Sequence, residues 1–232
     1  MIQKKDKSIL VFRFSALGDI AMTIPVLRSF FNTYPNQKII FVSRGFVQPL
    51  FKEFENLEFV SVDFNNDFKG LKGLFKLFKS LRKNKIKAVA DLHNVLRTKI
   101  LKILFKMVFI NVQSIDKGRA ERKKLTKKKN KKFKPLTPIH YRYCDVFGRL
   151  GFPIDLANHE YPIKPYLPEN SEEQKVLAKS GDKTIIGIAP FASFAGKNYP
   201  LDLIQTSSSV NTFKSRRSNA SLISDAFFSF FK

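Results

Sequence analysis

The stretch ILVFRFSALGDIAMTIPVLRSFF, residues 9–31, decides the fold. Residues 9–12 form an apolar run typical of a strand that is covered on both faces. Ser15 and Gly18 then supply turn chemistry, and apolar residues recur at helical spacing from 17 to 31. Asp19 is therefore expected at the carboxyl edge of a parallel sheet, beside a helix start, where open α/β folds bind their ligands.

Composition limits the class of protein. The 232 residues are 44% hydrophobic, which favours a folded core over global disorder. The single cysteine, Cys144, excludes an internal disulfide and suits a reducing cytosol, and its simplest role is that of a small buried hydrophobe. The apolar run at the N-terminus is broken by Arg13, and no uncharged stretch approaches the ~20 residues that span a bilayer. We therefore predict a cytoplasmic protein.

The net charge of +23 restricts the partners, because a field of this sign attracts polyanions. The candidates are nucleic acid, anionic lipid and a phosphorylated substrate. Neither the GxxxxGK[ST] nor the GxGxxG phosphate signature is present, so a P-loop or dinucleotide site has little support.

The order of predicted elements indicates an α/β fold. Strands are predicted at 38–43, 57–62, 86–91 and 108–112, and helices at 68–83 and 95–106. Such alternation predicts a doubly wound, Rossmann-like parallel sheet with helices on both faces. Pro25 predicts a break in the first helix, with Thr23 as a local cap.

Four segments follow from changes in composition. Residues 1–150 are predicted as a Rossmann-like domain, which contains a basic loop at 115–135 and closes with a helix at 138–150. A Pro-rich linker spans 151–170, and the start of a second α/β domain spans 171–203. Residues 204–232 are Ser-rich and lack a helical or strand period. We hypothesise that they are an atypical tail that follows a frameshift or truncation near residue 204.

Several motifs resemble the family 9 glycosyltransferases, the ADP-heptose:lipopolysaccharide heptosyltransferase group. They are RFSALGDIAMTIPVLRSF, DLHNVLRTKIL, DKGRAERKKLTKKKNK and IGIAPFASFAGKNYPLDL, within residues 9–203. The resemblance implies a GT-B-type fold with an N-terminal acceptor-binding and a C-terminal donor-binding domain. It also implies an inverting, metal-independent enzyme that uses a nucleotide-sugar, ADP-heptose, and needs no cofactor. Because the resemblance stops at 203, we expect this chain to be weakly active or inactive.

The resemblance assigns roles to residues of the first turn. Taken by position alone, Asp19 is most simply a first-turn carboxylate that complements the helix dipole. The resemblance makes it the base that takes a proton from the acceptor hydroxyl. Arg13 and Ser15 are candidates for binding acceptor oxygens, with packing or capping as equally good alternatives. Gly18 would allow close backbone approach, and Lys197 would contact the donor phosphates and stabilise the leaving diphosphate.

The motif DLHNVLRT, residues 91–98, follows the fourth predicted strand. Asp91, His93, Asn94 and Arg97 are expected to point toward the same crevice as Asp19. We take Asn94 and Arg97 as acceptor contacts, since a guanidinium fork suits carboxylate or phosphate. His93 is more simply a structural hydrogen-bonding group. The histidines lack ligand spacing, so no metal site is predicted.

Two basic segments remain open to more than one interpretation. Residues 117–134 are a solvated charge run or an acceptor clamp, in which the resemblance points to Lys117, Arg119 and Arg122. This run lacks interleaved aromatic residues that could stack on bases, with Phe133 alone near its end, so no specific nucleic acid is expected. The apolar stripe of helix 68–83 is core-facing or rests on the anionic inner leaflet.

The leading hypothesis is thus a heptosyltransferase-like enzyme that transfers a sugar from a nucleotide-diphosphate donor. Its acceptor would be an acidic, lipid-linked lipopolysaccharide or cell-envelope glycan, reached by peripheral contact with the inner face of the cytoplasmic membrane. The alternative is a non-enzymatic polyanion-binding module for glycolipid or nucleic acid. A third possibility is a gene product without function.

Overall fold

A computed structural model describes residues 7–128 and 134–157, together with 174, 175 and 178. By contacts between Cα atoms the chain divides into two compact units, Met1–Pro162 and Ile163–Lys232. The fold below is that of the first unit. Among the described residues, no helix is long and apolar enough to cross a bilayer.

The first unit is built on five parallel strands, whose order across the sheet is β3-β2-β1-β4-β5. The strands are β1 (Ser8–Phe12), β2 (Ile39–Ser43), β3 (Leu57–Ser61), β4 (Ile86–Asp91) and β5 (Asn111–Ser114). The α-helices are α1 (Leu17–Ala21), α2 (Ile24–Thr33), α3 (Gly70–Arg82), α4 (Leu96–Met107), α5 (Arg119–Leu125) and α6 (Ile139–Arg149), and a 3-10 helix spans Gly45–Phe51.

Strand β1 lies at the centre of the sheet and is buried along its whole length. Its alternate residues belong to two separate hydrophobic clusters, because successive side chains of a strand point to opposite faces. Ile9 and Val11 share a cluster with residues of α2 and α6. Leu10 and Phe12 share the other with residues of α3 and α4. The predicted Rossmann-like parallel sheet with helices on both faces is therefore confirmed.

Two predicted elements were placed wrongly. The fifth strand was predicted at 108–112 but runs from Asn111 to Ser114, because α4 continues to Met107 and a turn with Phe109 at φ 60° follows. The predicted loop at 115–135 contains helix α5. Its sequence, RAERKKL, is made largely of strong helix formers, but the run of charges led to the prediction of a solvated loop.

The predicted break in the first helix is confirmed, since α1 ends at Ala21 and Pro25 lies in the first turn of α2. The predicted capping role of Thr23 is wrong. Its hydroxyl donates to the carbonyl of Ile20 at 2.6 Å instead of accepting from the first amides of α2.

Gly73 provides a test of how α3 packs. A Cβ at this buried position would lie 2.1 Å from the carbonyl carbon of Phe68. We expect Gly73→Ala to destabilise the fold by about 1–3 kcal/mol in urea unfolding, although Ala is the better helix former. Gly18→Ala is the control, because its Cβ would meet nothing within 4 Å. Equal stability of Gly73→Ala and the wild type would contradict this packing.

Candidate functional site

The site residues collect where the strand order reverses. Strand β1 pairs with β2 on one side and with β4 on the other. The chain thus leaves β1 in one direction and β4 in the opposite direction, which opens a crevice at the carboxyl ends of these two strands. Residues that follow β1 and β4 meet at this edge.

Arg13 is the buried cation of the site. One of its terminal nitrogens donates to the carbonyl of Leu92 at 2.7 Å, and the other forms an ion pair with Oδ2 of Asp19. Its guanidinium also lies 5.9 Å from the ring centre of Tyr143. Side-chain exposure is only 6%, so three neighbours from different segments fix this guanidinium in place.

Asp19 lies in the first turn of α1, and its side chain is 49% exposed. The hydroxyl of Tyr143, on α6, donates to its backbone carbonyl at 3.0 Å. Arg13 binds Oδ2 of the carboxylate, whereas Oδ1 has no hydrogen-bond partner among the described residues. Asp19 therefore combines a fixed position with one accessible oxygen. The adjoining turn contains a cis peptide between Ser15 and Ala16.

His93 follows β4 and lies beside the turn that follows β1. Its Nε2 lies 3.3 Å from the hydroxyl of Ser15, and its ring meets Phe14 edge-on. Burial, followed by the positive charges of Arg13 and Lys117, lowers the pKa of His93 to about 4. The imidazole is therefore neutral at pH 7 and serves as a hydrogen-bonding group, not as a cation.

This pKa makes folding stability dependent on pH. The unfolded chain binds a proton at His93 near pH 6.5, whereas the folded chain does so only near 4. Because the unfolded state then binds more protons, stability falls as the pH drops from about 6.5 to about 4. In urea unfolding, we expect the stability of His93→Gln to fall less over this pH range than that of the wild type. A His93 imidazole that titrates near pH 6.5 by NMR would contradict the prediction.

Asp91 and Asn94 shape the turn after β4. Asp91 is fully buried, and its Oδ1 accepts from the backbone amides of His93 and Asn94 at 3.0 and 2.8 Å. Asn94 has φ 47° and donates its side-chain amide to the carbonyl of Ile115 at 2.9 Å. These contacts hold the turn that carries His93.

The described contacts of Arg97 do not include Arg13 or Asp19. Arg97 is exposed, and its guanidinium lies 5.0 Å from the ring centre of Phe64. It also lines a cavity of about 410 Å³ between the first turns of α3 and α4.

The structure brings the start of the basic segment toward the site. Burial lowers the pKa of Lys117, and the positive charges of Arg13 and Arg119 lower it further. Arg122 donates to the carbonyl of Lys117 at 2.6 Å, so its guanidinium lies beside the backbone of this residue. The predicted phosphate contact, Lys197, lies outside the described residues. Within the described part of the chain, no group of three or more His, Cys, Asp or Glu could hold a metal ion.

Sequence reasoning missed Tyr143, which both contacts Arg13 and donates to Asp19. Its residue number differs from that of Asp19 by 124, and its own helix shows only an amphipathic pattern. No local signal in the sequence marks Tyr143 as a site residue.

This architecture places the chain in the GT-B-like, Rossmann-type class of folds, and solved structures agree. The glycosyl transferase family 9 protein from Veillonella parvula matches with a TM-score of 0.61 and 20% identity, over 86% of this chain and 58% of that chain. The E. coli heptosyltransferase WaaC with ADP-2-deoxy-2-fluoro heptose matches with a TM-score of 0.50 and 16% identity, over 71% and 56%.

The expected likeness to family 9 glycosyltransferases is thus confirmed at the level of the fold. This chain spans a little more than half the length of the two solved proteins. No family model matches the sequence. No curated protein matches it either.

Proposed function

We propose that this chain is the acceptor-binding, N-terminal part of a glycosyltransferase. Its reaction moves a sugar from a nucleoside-diphosphate donor, which we take to be ADP-heptose, to an acidic lipopolysaccharide or cell-envelope glycan. The observation that carries the proposal is the half-exposed carboxylate of Asp19, which the buried Arg13 holds at the crevice between β1 and β4. The fold shared with glycosyltransferases supports it.

The chemistry assigned to Asp19 is that of a general base. Its accessible oxygen takes the proton of the acceptor hydroxyl while that oxygen attacks the anomeric carbon of the donor. The bond between this carbon and the diphosphate breaks, the nucleoside diphosphate leaves with the electron pair, and the configuration inverts. Arg13 positions the carboxylate, and Ser15 and neutral His93 offer hydrogen bonds to acceptor hydroxyls.

Basic residues would recognise the charged groups of the acceptor. Lys117 stands within electrostatic range of Asp19, and Arg119 and Arg122 lie on the adjoining helix. Their positive charges suit the carboxylates and phosphates of an inner-core glycan. We also assign Arg97 and Asn94, which follow β4, to the acceptor, and Gly18 leaves space beside Asp19.

On the donor side we assign Lys197 to the diphosphate, where an ammonium offsets the charge that develops on the leaving group. The assigned steps use side chains of this chain, with no cofactor and no metal ion. Because the acceptor is lipid-linked, the protein would work at the inner face of the cytoplasmic membrane while remaining cytoplasmic.

The test is acceptor-dependent release of ADP. The full chain is incubated at high protein concentration with ADP-heptose and with a truncated lipopolysaccharide acceptor, and binding of the acceptor is measured by calorimetry. We expect slow ADP release that requires the acceptor, together with saturable acceptor binding. Acceptor binding no tighter than that of DNA of similar charge, together with no ADP release, would overturn the proposal.

A polyanion-binding module is the competing function, because the net charge of +23 alone would attract such ligands. It predicts equal affinity for the glycan and for DNA of similar charge, with both lost at high salt. That result, with no turnover, would favour the module over the enzyme.

A further inference from the structure

Helix α4 carries apolar side chains on two opposite faces. On its inner face, Leu101 and Phe105 are fully buried in the hydrophobic core. A second stripe follows helical spacing on the opposite side and consists of Leu96, Ile100, Ile103 and Met107. Leu96, Ile103 and Met107 are 74%, 59% and 71% exposed, so most of this stripe lies uncovered.

The exposed stripe continues onto α3. Leu71 of α3 is 71% exposed and lines the same cavity as Leu96 and Ile100. We call the surface formed by Leu71, Leu96, Ile100, Ile103 and Met107 the α3–α4 face. Phe109, just beyond the end of α4, is 99% exposed. An apolar surface of this kind marks a site of interaction.

The charges on these two helices are all of one sign. Both helices lie wholly within the described residues, and neither contains an acidic residue. Their basic residues are Lys72, Lys76, Lys79 and Arg82 on α3, and Arg97, Lys99, Lys102 and Lys106 on α4. By helical spacing, Lys99 and Lys106 flank the exposed stripe on one side and Arg97 flanks it on the other.

We propose that the α3–α4 face docks on the surface of an anionic lipid bilayer. The apolar side chains would enter the boundary between headgroups and acyl chains, and the flanking cations would contact lipid phosphates. Protein interfaces are depleted in Lys, whereas lipid-binding helices are rich in it, so the composition favours lipid over a protein partner. This inference goes beyond the glycosyltransferase reaction and does not depend on it.

Cosedimentation of the full chain with vesicles tests the proposal. We expect binding to vesicles of phosphatidylcholine mixed with phosphatidylglycerol, and much weaker binding to phosphatidylcholine alone. Each cation near the surface contributes about 1 kcal/mol, so Lys99→Glu/Lys106→Glu is expected to weaken binding by about 30-fold or more. Ile103→Ser/Met107→Ser is expected to weaken it by about tenfold, since apolar burial is lost. These side chains are exposed, and circular dichroism of each variant would check that it is folded.

The matched control is Lys38→Glu/Lys52→Glu, which makes the same change of charge on exposed residues outside α3, α4 and the basic segment 117–134. At a salt concentration that screens long-range electrostatic attraction, we expect this control to bind vesicles within about threefold of the wild type. An equal loss in the control would show that overall charge, not the α3–α4 face, drives binding. That result would overturn the proposal.

A fluorescent reporter gives an independent readout. The sequence contains no Trp, so Phe109→Trp introduces a single fluorophore at the end of α4. We expect its emission to shift to the blue on anionic vesicles, whereas Tyr141→Trp, at an exposed position on α6, stays unchanged. Unchanged emission of Phe109→Trp would overturn the proposal. The proposal would also be overturned if Ile103→Ser/Met107→Ser changed the oligomeric state and left vesicle binding unchanged. The α3–α4 face would then be a contact between two copies of the chain.

Discussion

Asp19→Asn is expected to lower acceptor-dependent ADP release by about 10²- to 10³-fold, while acceptor affinity changes by less than about threefold. The amide can still accept the hydrogen bond from Arg13, so the geometry of the pair is kept. It cannot take a proton from the acceptor hydroxyl. The loss should therefore appear in kcat and not in KM.

Asp67→Asn is the matched control, because Asp67 is an exposed carboxylate outside the site, in the segment between β3 and α3. We expect it to retain full activity. Thermal unfolding of both variants separates chemistry from folding, since removing the charge beside the buried Arg13 also affects stability. A residual activity within tenfold of the wild type would show that Asp19 is not the base.

Phe30→Ala is expected to destabilise the first unit by about 3–5 kcal/mol and to lower its unfolding midpoint by roughly 10 °C. Phe30 is fully buried on α2. Its ring centre lies 5.2 Å from those of Tyr34 and Phe147 and 5.9 Å from that of Phe152. The truncation would therefore leave a cavity where α2 meets α6 and the segment that follows it.

Phe109→Ala makes the same chemical change at a side chain that is 99% exposed. Its stability should stay within about 0.5 kcal/mol of the wild type. Urea unfolding of both variants gives the comparison. If the two variants lost equal stability, the aromatic contacts of Phe30 would not be what joins α6 to the core.

The sheet could be predicted from the sequence because buried parallel strands are short apolar runs between helical patterns. Residues 9–12 show this pattern, and the predicted strand at 86–91 coincides with β4. The position of β5 was misjudged, because Val108 and Ile110 belong to the apolar sequence but lie in the turn after α4. Helix α5 was missed because none of its residues is buried, so its helix formers show no apolar period.

Which residues of the site lie close together could be predicted only in part from the sequence. That the ends of β1 and β4 meet follows from the strand order of a doubly wound sheet. The partners of each side chain do not follow, because they depend on tertiary contacts such as that between Arg13 and the carbonyl of Leu92. The exposure of Leu71 could not be predicted either, since Leu71 shares a helical stripe with the buried Leu74 and Phe78.

The hydrogen bond from Tyr143 to the backbone of Asp19 also bears on synthesis. Arg13 and Asp19 leave the ribosome early, yet the ring that covers Arg13 belongs to α6, the last helix described in the first unit. During translation the central strand can pair with β2 and later with β4, but the charged pair gains its aromatic neighbour only after α6 has emerged. Arg13 and Asp19 are thus the first residues of the site to be synthesised and among the last to gain all of their native contacts.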